Sequence, residues 1–330
     1  MSLNCFKFNF MILSIVLLLV GFVVLVYGAD KLVDAASGLA ANYGIPNIVI
    51  GLTIVAFGTS APELVVNVFA SISGSSEMVM GNVLGSNIFN VLGILGISAI
   101  IYPLTVKSGT TWIEIPLAFL AAIMVLILAN DFLLNDGADN FISLGDGLVL
   151  LMFFIVFIVY TIMVSLKPGE KSDSIEISKY TTGQAVLWIF VGLGGLILGG
   201  KLIVDNAVEL ATSFGWSERV IGLTIVSIGT SMPELATSIA AVRKKKVDIA
   251  IGNVVGSNIF NIFFVLGISS TILPVTILES NFIDIWMNVL AGLLLFMFVF
   301  TGKGRKLEKW EGFLMLGLYV AYLTALILDL

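Results

Sequence analysis

Residues 50–66 read IGLTIVAFGTSAPELVV, and residues 221–237 read IGLTIVSIGTSMPELAT. The likeness continues downstream, where GNVLGSNIFN at 81–90 returns as GNVVGSNIFN at 252–261. The spacing is constant. Glu63 and Glu234 stand 171 residues apart, as do Asn82 and Asn253, Asp34 and Asp205, and Pro103 and Pro274. The chain therefore holds two related halves, and each sets a carboxylate, several hydroxyls, prolines and glycines in strongly apolar surroundings. Matching hydrophobic segments interrupted by Gly and Pro mark a binding site between repeats. A carboxylate within such a segment is costly enough to be functional by default.

Composition sets the environment. The 330 residues are 58% hydrophobic and 12% charged, with a mean hydropathy of +1.10. A soluble domain carries roughly 25% charged residues, so the chain reads as an integral membrane protein. The net charge of −6 says little beside the placement of the charges. A single cysteine, Cys5, excludes an internal disulfide. There is no histidine, which removes the commonest proton shuttle and metal ligand. With no nucleotide motif and no nucleophile beside a base, the chain does not read as an enzyme. The apolar run 10–29 has no small-residue cleavage site after it and has a counterpart at 186–200, so it belongs to the fold.

A bilayer span needs roughly 20 apolar residues. Spans are expected near 10–41, 46–73, 77–101, 113–130 and 145–166, then near 182–212, 217–242, 247–273, 283–301 and 312–328. The first span of each half exceeds a bilayer thickness and must tilt. The expectation is an all-α polytopic protein with ten transmembrane helices in two five-helix repeats, 1–166 and 182–330. A polar linker, 167–181 (KPGEKSDSIEISKYT), joins them. Five is odd, so the second repeat should be inverted. Lys7 and Arg219 fall on the side of the N-terminus. Lys107, Lys167, Lys171, Lys179, Arg243, Lys244, Lys245, Lys246, Lys303, Arg305, Lys306 and Lys309 fall on the other. The positive-inside rule then makes the linker cytoplasmic and puts both termini outside the cytoplasm. The cluster 243–246 reads first as a topology anchor, with anionic lipid or a regulator as the alternative partner. Asp34 and Asp205 read as interfacial, and Lys31 and Lys201 as snorkelling side chains.

The motifs carry the chemistry. Pro62 and Pro233 cannot donate to the carbonyls of Gly58 and Gly229, so each helix should break just before its glutamate. The loosened carbonyls of Ala56 and Ser227 become candidate cation ligands. Glu63 shares a helix face with Thr59 and Ser60, and Glu234 with Thr230 and Ser231. Ser86 and Asn90 face one way, as do Ser257 and Asn261. Carboxylate, hydroxyl and carbonyl oxygens together make a site for a hard cation. Asn82, Asn87, Asn253 and Asn258 read as structural glue between helices. No basic residue lies within either motif, so the two carboxylates call for a movable countercharge. One divalent cation neutralises both; two or three monovalent cations do the same, and competition would couple opposite fluxes.

GTSAPE with GNVLGSNIFN, and GTSMPE with GNVVGSNIFN, resemble the alpha-1 and alpha-2 repeats of the sodium/calcium exchangers, within the cation/Ca²⁺ exchanger superfamily. The resemblance covers essentially the whole chain, with the alpha-1 motif at 50–103 and the alpha-2 motif at 221–274. It implies a secondary antiporter that exchanges Na⁺ for Ca²⁺ by alternating access, with two long helices sliding against a compact core. It implies Glu63 and Glu234 as central ligands, Thr59 and Thr230 at the Ca²⁺ site, and the Ala56 and Ser227 carbonyls at flanking Na⁺ sites. Ser60, Ser231, Ser86 and Ser257 would lie nearby, and Asn90 and Asn261 would close the middle. The family often carries Asp where this chain has Asn261, notably in K⁺-dependent members, so K⁺-independent exchange is expected. H⁺-coupled Ca²⁺ exchange, or exchange of another divalent cation, is the alternative on the same fold; the acidic residue usual after the G-N motif of the proton-coupled branch is missing here. The resemblance implies no cofactor beyond the transported Ca²⁺ and Na⁺, membrane lipid as surroundings, no nucleic acid, no obligatory protein partner, and a prokaryotic plasma membrane.

Overall fold

The structure, a computed structural model, describes residues 2–130, 140–166, 180–213, 227–301 and 304–328. Most of the linker (167–179), the opening of the second GTS motif (221–226) and the charges Lys167, Lys171, Lys179, Arg219 and Lys303 lie outside the described residues. Helix α1 runs Ser2–Tyr43, followed by α2 (Asn47–Thr59), α3 (Ala61–Ile72) and α4 (Ser76–Ile101). Helices α5 (Thr110–Leu128) and α6 (Leu144–Ser165) complete the first half. The second half holds α7 (Thr182–Ser213), α8 (Ser227–Thr230), α9 (Met232–Arg243), α10 (Val247–Ile272), α11 (Asn281–Thr301) and α12 (Lys309–Leu328). Among the described residues seven helices are long and apolar enough to cross a membrane, eight when the bent pair α2–α3 counts as one. The chain is an all-α polytopic membrane protein.

The breaks fall where proline requires them. Helices α2 and α3 meet at 46°, and Ser60 at the joint has φ −85° and ψ 7°. Ser231, ahead of α9, repeats this with φ −89° and ψ 8°. Pro62 and Pro233 lie in the first turn of the helix that follows, where a missing N–H costs nothing.

Burial separates core from periphery. The most apolar stretches of α4 and α10 are buried over 78% and 94% of their residues, against 22% to 33% for α1, α5, α6, α7 and α11. The outer helices show Phe190, Met152 and Ile155 on their surfaces, a face suited to lipid. Glycine sets the closest approaches. A Cβ on Gly51 would lie 3.1 Å from the Gly252 Cα, which is how α2 crosses α10. Helix α1 crosses α7 antiparallel, Gly21 against Gly199 and Gly28 against Gly192, with the backbones in contact. Along that crossing, Lys31 stacks over the Tyr27 and Trp188 rings, and Lys201 pairs with Asp205 at 3.4 Å.

Two short antiparallel pairings tie the halves together. Strand β1 (Leu104–Thr105) pairs with β4 (Lys306–Leu307), and β2 (Phe141–Ile142) with β3 (Val275–Thr276). Because β1 and β3 stand 171 residues apart, these are equivalent pairings in the two repeats. Overpacking a tight crossing costs about 1–3 kcal/mol. A Cβ at Gly28 would sit 2.8 Å from the Gly192 carbonyl, whereas one at Gly317 meets nothing within 4 Å. Gly28→Leu is therefore expected to lower the thermal unfolding midpoint in detergent by several degrees, and Gly317→Leu to leave it nearly unchanged.

Candidate functional site

Glu63 enters the core from the first turn of α3, and Glu234 from the first turn of α9; each is 1% exposed. Among the described residues neither carboxylate has an ion-pair partner. What each has is a serine from the opposite half. Ser60 Oγ donates to Glu234 Oε1 at 2.8 Å, and Ser231 Oγ donates to Glu63 Oε1 at 3.2 Å. The helix breaks make this exchange possible, because each places its serine at the joint, ahead of its own glutamate.

Around the carboxylates, four asparagines hold the backbone. Asn82 Nδ2 donates to the Glu63 carbonyl at 3.3 Å and to Asn67 Oδ1 at 2.7 Å. Asn253 Nδ2 donates to the Glu234 carbonyl at 3.3 Å and to Ser238 Oγ at 3.1 Å. Thr59 Oγ1 reaches Asn253 Oδ1 at 3.1 Å, and Thr230 Oγ1 reaches Asn82 Oδ1 at 3.3 Å. Deeper in the core Asn87 and Asn258 grip each other's backbone: each Nδ2 donates to the other's carbonyl, at 3.3 and 3.2 Å. Asn90 Nδ2 then donates to Asn258 Oδ1 at 3.0 Å, and Asn261 Nδ2 to Asn87 Oδ1 at 3.1 Å. Nearly every contact has its counterpart 171 residues away. The departure is Ser257 Oγ, 3.5 Å from Glu234 Oε1, where Ser86 Oγ has no partner.

The amide nitrogens are thus consumed in the scaffold, and oxygens are left over. Glu63 Oε2, Glu234 Oε2, Ser86 Oγ, Asn90 Oδ1 and Asn261 Oδ1 are buried with no hydrogen-bond partner. An unsatisfied buried acceptor costs about 1–3 kcal/mol, more when charged, so five in two repeated motifs need an explanation. An all-oxygen set with two carboxylates fits a hard cation. The carbonyl of Ala56 is not free, since the Ser60 amide donates to it at 3.0 Å. The Thr59 hydroxyl also lies within hydrogen-bond reach of it, at 3.3 Å, so a cation would have to displace that contact to take its second lone pair. The side chain of Ser227 lies outside the described residues.

Sequence reasoning passed over Asn67 and Ser238, which orient Asn82 and Asn253. Their signal was their shared offset of 171 residues, hidden by the change of residue type. It also passed over the π-helical turns Phe89–Leu95 and Phe260–Leu266, which carry Asn90 and Asn261. Such turns concentrate at functional sites because the extra residue re-aims a side chain.

Two related helical halves enclosing an oxygen-only cluster at broken helices have the architecture of a secondary transporter. The family model for sodium/calcium exchanger protein matches residues 13–163 and 184–328, and the chain belongs to that family. It is 38% identical over 322 residues to the putative antiporter CaxA of Alkalimonas amylolytica, covering 94% of this chain and 98% of that one. It is 32% identical over 344 residues to the sodium/calcium exchanger MaX1 of Methanosarcina acetivorans, covering 95% and 98%. Among solved structures, the sodium-calcium exchanger NCX_Mj soaked with 10 mM Na⁺ and zero Ca²⁺ superposes with a TM-score of 0.82 at 32% identity, over 96% of this chain and 99% of that one.

Scaffold residues and candidate ligands are separable by stability. Asn258→Ala removes the reciprocal amide bridge and should lower the unfolding midpoint of chelator-treated protein by several degrees. Ser86→Ala loses no hydrogen bond and should leave that midpoint unchanged, while reducing the extra stabilisation that added Ca²⁺ confers by mass action. Thermal scans with and without Ca²⁺ measure both.

Proposed function

We propose that the chain exchanges Na⁺ for Ca²⁺ by alternating access, as an electrogenic antiporter with no K⁺ requirement. The observation that carries this reading is the buried pair Glu63 and Glu234, each with one oxygen held by a serine of the opposite half and one left without a partner. Removing a carboxylate from water costs several kcal/mol unless its charge is compensated. One Ca²⁺ compensates both; Na⁺ ions do so in its place. A site that is stable only when neutralised exchanges one occupant for another. Three Na⁺ against one Ca²⁺ moves one net charge per cycle.

In this reading Glu63 and Glu234 are the central ligands. Hydroxyls come from Thr59, Thr230, Ser60, Ser231, Ser86 and Ser257, amide oxygens from Asn90 and Asn261, and backbone carbonyls from Ala56 and Ser227. The amide oxygen at Asn261, where a third carboxylate would add charge, supports independence from K⁺.

The same reading takes the chain as ten spans in two inverted five-helix halves, 1–166 and 182–330, joined by a cytoplasmic linker, 167–181. Support comes from the antiparallel crossing of α1 and α7, which hold equivalent positions, and from the equivalent pairings β1–β4 and β2–β3. Helices α8 and α9 belong to the seventh span, and α12 to the tenth. The ion pair of Lys107 with Asp248, at 2.9 Å, supports a common side for the loops before α5 and before α10. Lysine and arginine crowd that side, which the positive-inside rule makes cytoplasmic, with both termini opposite.

The test is ⁴⁵Ca²⁺ uptake into proteoliposomes loaded with Na⁺ and diluted into Na⁺-free medium. Uptake is expected without K⁺, is expected to quicken when the interior is made positive, and should fall at least tenfold in Glu63→Gln and Glu234→Gln. Uptake driven only by a pH gradient would reassign the coupling ion to H⁺; uptake indifferent to voltage would remove the three-for-one stoichiometry.

A further inference from the structure

Helix α9 has two working faces. Glu234 points into the core, whereas Met232, Leu235, Ala236, Ile239, Ala240 and Arg243 recur at three- and four-residue spacing on the face opposite it. Across from that face α1 presents Phe22, Leu25, Val26 and Asp30, and between the two helices lies a cavity of about 200 Å³. Its walls are apolar except for Asp30 and Arg243. Phe22 and Val26 are 40% and 51% exposed, so the groove opens onto the apolar outer surface.

The two charges differ in what they have to bind. Asp30 is already engaged: Lys244 Nζ lies 3.2 Å from its carboxylate and 3.0 Å from that of Asp34, and donates to the Asp30 carbonyl at 2.8 Å. Arg243 has no ion-pair partner among the described residues. Lys245, also exposed, holds φ at +59°, a left-handed conformation that disfavours a side chain. In the other repeat its position is Gly74, at φ +75°, and the position of Arg243 is Ile72. The second repeat thus keeps one exposed cation at the end of this groove and a second, on a strained backbone, two residues further along the chain, where the first repeat has Ile72 and Gly74.

We propose that this groove is a phospholipid site. The phosphate sits on Arg243 with Lys245 beside it, and one acyl chain lies along the groove between α1 and α9. A void lined by apolar atoms forfeits dispersion contacts unless something fills it, and in a bilayer the available filler is an alkyl chain. Basic residues at the membrane surface favour anionic headgroups, so an anionic lipid is preferred over a zwitterionic one. The site lies on the face of α9 opposite Glu234 and is independent of the exchange reading.

Native mass spectrometry of the full-length protein in mild detergent tests it, with long-chain phosphatidylglycerol, phosphatidylcholine of the same chains, and dihexanoyl-phosphatidylglycerol as probes. One long-chain phosphatidylglycerol per chain should be retained in preference to both other probes. Arg243→Gln should weaken its retention at least fivefold and abolish the headgroup preference. Ile239→Trp, which fills the groove, should reduce retention of both long-chain lipids with the thermal midpoint preserved. Lys309→Gln, an exposed lysine elsewhere, should change nothing. Equal retention of the two long-chain lipids by the unaltered protein, unchanged binding in Arg243→Gln, or an equal loss in Lys309→Gln overturns the site.

Discussion

Two carboxylates are buried in the middle of this protein with no positive charge to meet them among the described residues, and most of the surrounding core is arranged around that constraint. Each glutamate is held by one hydroxyl from the opposite half, which fixes its position without neutralising it. The asparagines spend their nitrogens on backbone carbonyls and on one another, so the donors that could satisfy the carboxylates permanently are occupied elsewhere. Oxygens are left over as a result. The helix breaks at Ser60 and Ser231, and the close approach of α2 to α10 at Gly51, bring those oxygens into one core.

The periphery is built on different terms. Where the core is knit by amide hydrogen bonds, α1 and α7 meet largely through glycine and apolar contacts, with the Ser14 hydroxyl donating to the Glu209 carboxylate and Lys31 lying over the Trp188 ring as polar ties between them. The polar tie between α1 and the end of α9 is Lys244 on Asp30 and Asp34, exposed enough for water to replace it at modest cost. A rigid centre flanked by two long, lightly tethered helices suits relative motion of the two parts.

Much of this was legible in the sequence because it was written twice. The repeat disclosed the pairing of the halves, proline disclosed the breaks, and the lack of a basic residue within either motif pointed to a mobile countercharge. What could not be read were contacts that join positions far apart by rules other than spacing. Asn67 and Ser238 do the same work with different side chains. The π-helical turns around Asn90 and Asn261 follow from packing, not from any local residue preference. Strand pairing of β1 with β4 depends on how the halves dock, and two residues carry no periodic signal. The carbonyl of Ala56 is not loosened as the proline suggests: the Ser60 amide and the Thr59 hydroxyl both reach it, because the proline breaks the ladder after that turn.

The bridge between Asn87 and Asn258 has a further meaning. Each residue presents the same two groups to the other, so the contact is self-complementary in the way of an isologous dimer interface. A side chain that can satisfy its own copy needs no second sequence to evolve against. Each half carries the same asparagine, so the same contact would suit two copies of either half. Elsewhere the halves tolerate different side chains, as at Asn67 and Ser238, whereas at this bridge a change in one asparagine leaves the other without its partner.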